Sequence, residues 1–160
     1  MSDDRERMEE VLRELSDGHL GLWDGEQVYV VPLNYTYDGG RILFHCALEG
    51  RKLDVIRAHP DVCFEASRLE GAPVEHAGEL CNAAFVSVIC WGKARVSDDL
   101  EERREILQAF QVRYATEEKP LTSMTPERTA SCGAVVIEVE RMTGRKREGG
   151  EQWRWEWKKA

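Results

Sequence analysis

The stretch "QVYVVPLNYTYDGGRILFHCA", residues 27–47, contains two runs rich in β-branched and aromatic residues on either side of a turn signal. Residues 27–37 predict one strand and residues 41–47 its returning partner, because "DGG" at 38–40 favours a tight turn. We therefore expect a β-hairpin here. Pro32 removes one backbone donor from the first strand, which predicts a sheet edge, a bulge or a ligand-facing position.

The rest of the chain predicts further strands and three helices. Apolar alternation or short apolar runs predict strands at residues 19–24, 62–67, 84–97 and 134–142. Helical spacing of apolar residues predicts helices at residues 3–15, after Lys52 as far as Pro60, and from Asp98 or Asp99 to about Tyr114. Residues 70–83 and 115–133 look irregular, and "RMTGRKREGG" at 141–150 is interpreted as a turn before a final strand.

At least five strands with several antiparallel hairpins and only three helices predict a mainly β fold, a β-barrel with peripheral helices. No GxGxxG motif follows a strand, so a dinucleotide-binding βαβ unit is excluded. We find no internal repeat and no linker composition. Residues 1–160 are therefore expected to form a single domain.

Composition narrows the class of protein. The net charge of −8 argues against general nucleic-acid binding, which needs a basic surface to contact phosphates. A hydrophobic fraction of 42% is typical of a globular protein. No apolar run approaches the roughly 20 residues of a membrane span. The N-terminal stretch also lacks the apolar centre of a signal peptide, so we expect a cytoplasmic protein.

The cysteines and histidines show no metal-binding or disulfide pattern. The five cysteines are Cys46, Cys63, Cys81, Cys90 and Cys132, and the four histidines are His19, His45, His59 and His76. An odd number of cysteines without CxxC spacing argues against a disulfide framework and a structural zinc site. We expect reduced, mostly buried thiols and no metal ion.

Two adjacent cations, Arg51 and Lys52, stand at the start of the second predicted helix. The positive end of a helix dipole disfavours cations but attracts anions, and a bound phosphate would reverse the unfavourable sign. Arginine can hold a phosphate through two hydrogen bonds while lysine adds a point charge. The alternative is a pair of solvated surface charges, partly neutralised by Glu49 and Asp54.

Three motifs in order resemble the flavin split-barrel superfamily. They are "VPLNY" at 31–35, "FHCALEGRKLD" at 44–54 and "SVICWGKA" at 87–94. Within the superfamily, residues 8–146 are most similar to the nitroimidazole-resistance proteins, a branch related to pyridoxamine 5′-phosphate oxidase. The resemblance implies an antiparallel, Greek-key-like split β-barrel. It also implies a homodimer with two FMN sites at the interface.

The resemblance also assigns roles by position. Residues implied to lie along the flavin ring or close to it are Val31, Pro32, Leu33, Asn34, His45, Cys46 and Ser87. His45 and Cys46 stand where the oxidases have a Tyr-Thr pair, and Ser87 replaces a glutamine of the oxidases. Arg51 and Lys52 match the pair that holds the FMN phosphate. The oxidases' C-terminal arginine and histidine for pyridoxal phosphate have no clear counterpart, so vitamin B6 oxidation is not expected.

The implied function is a reductase of small organic acceptors such as nitroimidazoles or nitroaromatics, with electrons from NADH or NADPH. His45 is the candidate catalytic residue, because imidazole titrates near neutral pH and can orient an acceptor or deliver a proton. A structural histidine at the barrel rim is the alternative. A second hypothesis is a non-catalytic protein that carries flavin, or one that binds haem through His45.

The C-terminal segment "QWRWEWKK" alternates aromatic with polar residues. This spacing predicts that Trp153, Trp155 and Trp157 share one face of a strand. We expect them to pack on the barrel or across a dimer interface, where aromatic residues are enriched. A stacking platform for a substrate is the alternative.

Overall fold

A computed structural model describes residues 2–70 and 83–160, so Cys81, His76 and most of the predicted loop at 70–83 lie outside the described residues. The described strands are β1 (Asp17–Trp23), β2 (Val28–Asn34), β3 (Thr36–Asp38), β4 (Arg41–Cys46), β5 (Asp61–Leu69), β6 (Phe85–Val96), β7 (Gly133–Glu148) and β8 (Glu151–Lys158). The helices in these ranges are α1 (Ser2–Glu14), α2 (Arg51–Ala58), α3 (Leu100–Tyr114) and α4 (Pro126–Ala130). None of these helices is long and apolar enough to cross a membrane.

The strands form one antiparallel sheet in the order β2-β1-β5-β6-β7-β4-β3, with β8 paired to β7 outside this path. β7 organises the sheet, because it pairs with β6 along most of its length, with β4 through its first half and with β8 through its second half. The sheet curls around one apolar core that includes Leu20, Phe44 and Phe64. The predicted mainly antiparallel split barrel with peripheral helices is confirmed.

The predicted hairpin at residues 27–47 is only partly correct. Its first run divides at Tyr35 into β2 and β3, and only β3 pairs with β4. β2 pairs with β1 instead and forms an edge of the sheet. The division follows from the burial of Tyr35, whose hydroxyl donates to the Leu12 carbonyl of α1 at 2.9 Å. Pro32 therefore lies on an edge strand, one of its three predicted settings.

Two local predictions in the second half of the chain are wrong. Residues 141–148 continue β7 rather than forming a turn, and only Gly149 and Gly150, with φ of 57° and 86°, reverse the chain. Residues 115–133 were predicted to be irregular but contain α4, which Thr125 caps by accepting a hydrogen bond from the Arg128 backbone N–H. Pro126 at the first turn of α4 fits this start, because a proline there loses no helical hydrogen bond.

The tryptophans of β8 share one face, as predicted, and pack on the barrel. Trp155 is buried, while Trp153 and Trp157 are half-buried against the same core. Trp155 lies over Gly144 of β7, where an added Cβ would stand 2.6 Å from the indole ring and 2.8 Å from Met8 Cγ of α1. The chain therefore covers these rings with its own residues, and they lend no support to a dimer.

The cysteines agree only partly with the prediction of buried thiols. All four that are described are free, namely Cys46, Cys63, Cys90 and Cys132. Cys90 is buried in the core, while the other three are partly accessible.

Replacing Trp155 with alanine is expected to lower the free energy of unfolding by about 3–5 kcal/mol, because it leaves a cavity between α1 and the sheet. Chemical denaturation followed by circular dichroism measures the change. The control is Val112→Ala on the solvent side of α3, where 66% of the residue is exposed and a change within about 0.5 kcal/mol is expected. Similar small changes for both variants would contradict the packing role of Trp155.

Candidate functional site

The N-terminus of α2 begins five residues after the end of β4 at Cys46 and carries both predicted phosphate ligands. Gly50 precedes the helix with a φ of 141°, and no side chain caps the first turn. Arg51 and Lys52 occupy the first two helical positions. The amide groups of this first turn and the positive end of the helix dipole make the site suited to an anion.

The two cations contact different strands. The Arg51 guanidinium lies 4.6 Å from the ring centroid of Tyr29 in β2. The Lys52 ammonium lies 5.1 Å from the ring centroid of Phe44 in β4. The pair thus contacts β2 and β4, the two strands that carry all the other predicted flavin contacts except Ser87.

Asp24, in the turn between β1 and β2, fixes the position of Arg51. Its carboxylate accepts hydrogen bonds from the backbone N–H groups of Gln27 at 2.8 Å and Glu26 at 3.0 Å, and from Arg51 Nη2 at 2.7 Å. These two backbone N–H groups, followed by Arg51, lower the pKa of Asp24 to about 2. The carboxylate is therefore ionised at neutral pH. The sequence does not reveal this contact, because Asp24 and Arg51 lie 27 positions apart.

β2 supplies an open strand edge to this region. Its burial alternates, with Val31 and Leu33 half-buried towards the core and Pro32 and Asn34 exposed on the opposite face. Asn34 Nδ2 donates to the Ser16 carbonyl at 3.2 Å, which orients the end of the strand. The free edge leaves backbone N–H and C=O groups available to a ligand.

His45 lies near the end of β4 and is accessible to solvent on one side. Its ring meets Phe110 of α3 edge to face, with the ring centroids 4.8 Å apart. Loss of hydration, followed by the positive charge of Lys52, lowers the pKa of His45. The imidazole is therefore neutral at pH 7 and offers one hydrogen-bond donor and one acceptor rather than a readily available proton.

The thiol of Cys132 lies beside His45, and Cys46 is the next residue along β4. Cys132 Sγ is 3.9 Å from His45 Nδ1 and donates to the Cys46 carbonyl at 3.4 Å. Burial raises the pKa of both Cys46 and Cys132. Both side chains therefore remain thiols at neutral pH, and the Cys132 contact orients the Nδ1 side of the imidazole rather than creating a nucleophile.

His45 and Asn34 line a common cavity of about 810 Å³, within the range of small-molecule sites. α3 and the chain that follows it supply the opposite side of the cavity. The residues that line the cavity include Asn34, His45, Phe110, Tyr114, Lys119 and Arg128. A second cavity of about 350 Å³ shares His45, Phe110 and Arg128 with the first.

This cavity was not predicted from the sequence. Residues up to about Tyr114 were predicted only to be helical, and residues 115–133 to be irregular. The spacing of a single helix does not reveal which apolar residues border a cavity. The "TPER" sequence at residues 125–128 is a local signal for a helix start and could have predicted α4.

Ser87 lies apart from the other predicted site residues of the chain. It stands in β6 opposite Ser67 of β5 and Arg145 of β7. Three strand spacings separate β6 from β2, or roughly 14 Å. The described structure thus brings His45, Cys46 and Lys52 together and places Asn34 in the same cavity as His45, but it does not add Ser87. Among the described residues, no group of three or more His, Cys, Asp or Glu side chains is placed to hold a metal ion.

The chain is thus an antiparallel split barrel with an uncapped helix start and an open edge strand beside a cavity. A family model described as pyridoxamine 5′-phosphate oxidase matches residues 4–146, so the chain belongs to this family. None of the curated proteins matches the sequence significantly.

Several solved structures share the fold. A proposed 5-nitroimidazole antibiotic resistance protein from Bacteroides thetaiotaomicron is 26% identical with a TM-score of 0.75, over 89% of this chain and 83% of that one. The flavocytochrome Anf3 from Azotobacter vinelandii is 18% identical with a TM-score of 0.75, over 96% and 77% of the two chains. The FAD and haem binding protein from Mycobacterium smegmatis is 15% identical with a TM-score of 0.74, over 97% and 82%.

Proposed function

We propose that this chain is an FMN-binding protein that reduces small organic acceptors such as nitroimidazoles or nitroaromatics, with NADH or NADPH as electron donor. The observation that carries the proposal is the uncapped start of α2, where Arg51 and Lys52 lie beside the strand end that presents His45. Membership of the pyridoxamine 5′-phosphate oxidase family and the similarity to the Bacteroides protein support it.

The α2 start fits a phosphate. Arg51 donates through Nη2 to Asp24, which leaves other guanidinium donors for a ligand. Because Asp24 and Tyr29 already hold the guanidinium, little side-chain freedom is lost when an anion binds. Lys52 adds a second positive charge from the β4 side.

The edge of β2 fits the flavin ring. The backbone of residues 31–34 offers hydrogen bonds to the polar rim of the ring, while Pro32 disfavours a strand partner at that edge. Bound FMN would supply the transfer of electrons from a nicotinamide to the acceptor. Cys46 and His45 lie beside Lys52, at the other border of the proposed site.

His45 would orient the acceptor. Its neutral imidazole lines the 810 Å³ cavity and is steadied by Phe110 and Cys132. The lowered pKa favours orientation by hydrogen bonding over proton delivery at neutral pH. In this proposal the acceptor occupies the cavity and the flavin lies at its β2 border.

A homodimer is proposed from the outer face of the sheet rather than from the tryptophans of β8. Trp23, Val28 and Val30 are 45%, 70% and 56% exposed. Trp91 extends this apolar face across β6, in register with Cys63 of β5. Burial of such a surface favours association. Ser87 lies on the same face, where it would approach the partner's flavin instead of its own.

The second candidate is a flavin or haem protein without turnover. The observation that favours it is again His45, because a neutral imidazole in a large cavity is the ligating form for haem iron. The absorption spectrum of freshly purified protein separates the two cofactors, since flavin gives two visible bands and haem a Soret band. Steady-state oxidation of NADH or NADPH then separates a reductase from a carrier.

Replacement of both Arg51 and Lys52 with alanine is expected to lower the affinity for FMN by about tenfold to a hundredfold. Each charged hydrogen bond contributes about 1.5–3 kcal/mol, and the exposure of these side chains to solvent reduces their combined contribution. The affinity for riboflavin, which lacks the phosphate, should change by less than about threefold. Fluorescence titration measures both affinities. Arg57→Ala, further along α2, is the matched control, and equal losses for the two flavins would reject the phosphate site.

The His45→Ala variant is expected to keep the fold and FMN but to lose most acceptor reduction, a loss of about tenfold or more in the single-turnover reoxidation rate with a nitroaromatic. His45→Gln retains a neutral donor and acceptor and should recover part of the rate if the imidazole orients the acceptor. Unchanged reoxidation in His45→Ala at full flavin occupancy would contradict the catalytic role. Loss of flavin or of folding would assign His45 a structural role.

Light scattering of the purified protein is expected to give twice the chain mass of 18.3 kDa at micromolar concentration. Substitution of both Val28 and Val30 by lysine should yield monomers, because it buries charge in the proposed interface. The matched control, Val112→Lys on α3, should remain dimeric. A monomeric mass for the unmodified chain would reject the homodimer.

A further inference from the structure

The 810 Å³ cavity combines an aromatic side with a cationic rim. Phe110 and Tyr114 of α3 stack with their ring centroids 5.6 Å apart and an interplanar angle of 26°, and His45 meets Phe110 edge to face. Lys119 and Arg128 line the same cavity. Flat aromatic surfaces favour a planar ligand, since aromatic rings pack best face to face with an offset or edge to face.

The charge balance of the cavity is opposite to that of the whole protein. Its lining contains two cations, Lys119 and Arg128, and one carboxylate, Glu118, while His45 is neutral. The full chain carries a net charge of −8. Within the described part of the chain, no carboxylate forms an ion pair with Lys119 or Arg128.

Arg128 is held in place at the cavity. Its Nη1 donates to Thr122 Oγ1 at 2.6 Å and to the Ser123 carbonyl at 3.2 Å. Thr122 is itself joined to Gln111 of α3 by two hydrogen bonds of 3.1 Å. Because only Nη1 is used in these contacts, the remaining guanidinium donors can bind an anionic oxygen.

We infer that the cavity binds a planar aromatic ring that carries a negative charge, with Arg128 recognising the anionic group and Phe110 and Tyr114 contacting the ring. This inference deepens the proposed reductase function by naming the class of acceptor, and it rests on that function for the role of the site. Lys119 strengthens the preference for an anion. Neutral rings of the same shape bind more weakly because they leave the guanidinium without an ionic partner.

Isothermal titration calorimetry with 4-nitrobenzoate and its neutral isostere 4-nitrobenzamide tests the inference, on purified protein whose flavin content has been matched between variants. The carboxylate should bind about three- to tenfold more tightly than the amide, the range expected for a charged hydrogen bond near solvent. The preference should shrink as NaCl rises from about 50 to about 500 mM, because salt screens exposed charges. Equal affinities, or no binding of either probe, would overturn the inference.

Two variants assign the preference to the cavity. Arg128→Gln should lower the affinity for 4-nitrobenzoate by about three- to tenfold and change the affinity for 4-nitrobenzamide by less than about twofold. Lys119→Gln should also lower the affinity for 4-nitrobenzoate. It provides a second test if Arg128→Gln lowers the melting temperature of the protein. Arg154→Gln, on the exposed side of β8, should change neither affinity. Equal losses for both probes, or no loss in either cavity variant, would reject recognition by these cations.

The readout separates this inference from the proposed function. Binding heats do not depend on turnover, so selective binding of 4-nitrobenzoate without its reduction would keep the anion site and reject the reductase. Reduction of both compounds with equal binding would keep the reductase and reject the anion site.

Discussion

The burial of Tyr35 holds α1, the edge strand β2 and the end of α3 in place relative to one another. Its hydroxyl donates to the Leu12 carbonyl near the end of α1, and its ring meets Phe64 of β5 edge to face. Its own carbonyl accepts a hydrogen bond from the Tyr114 hydroxyl at the end of α3, which also contacts the Ser16 carbonyl at 2.9 Å. This small network divides β2 from β3, orients the edge strand and fixes the helix that forms one side of the cavity. Buried polar groups of this kind are costly to leave unpaired, so the arrangement is strongly specified.

The charge distribution supports a site that is assembled before any ligand arrives. Arg51 is held by Asp24 and Tyr29, and Arg128 by Thr122 and Ser123. At each arginine, the carbonyl, hydroxyl or carboxylate oxygens accept hydrogen bonds from only some of the guanidinium N–H groups. An arginine positioned in this way keeps donors for a second partner and has already lost much of its rotational freedom. The two arginines belong to different ends of the proposed site, one near the edge strand and one across the cavity.

Much of the fold could be predicted from the sequence because its signals are local. The alternation in residues 84–97, the helix start at Asp98 or Asp99 and the helical spacing up to Tyr114 all correspond to described elements. The pairing of β2 with β1 could not be predicted, since it depends on the burial of Tyr35 against a helix distant in sequence. The continuous strand at 141–148 was missed because its charges and glycine favour a turn locally, while pairing with β6 and β8 overrides that preference.

The candidate site was predictable to a smaller extent. Motifs indicated Arg51, Lys52 and His45, and the structure places Lys52 close enough to His45 to lower its pKa. The neutral state of that imidazole, the contact of Asp24 with Arg51 and the cavity beside Phe110 all arise from residues far apart in the chain. Such properties follow from three-dimensional neighbours, which a single sequence does not specify.

The open edge of β2 also affects the tendency of the protein to aggregate in a crowded solution. An exposed edge strand is a template on which a strand of another chain can add, which is a common route to aggregation. Pro32 stands in the middle of β2, and a proline at an edge interrupts the row of donors that an incoming strand needs. Pro32 thus protects this open edge against the assembly of chains into intermolecular sheets.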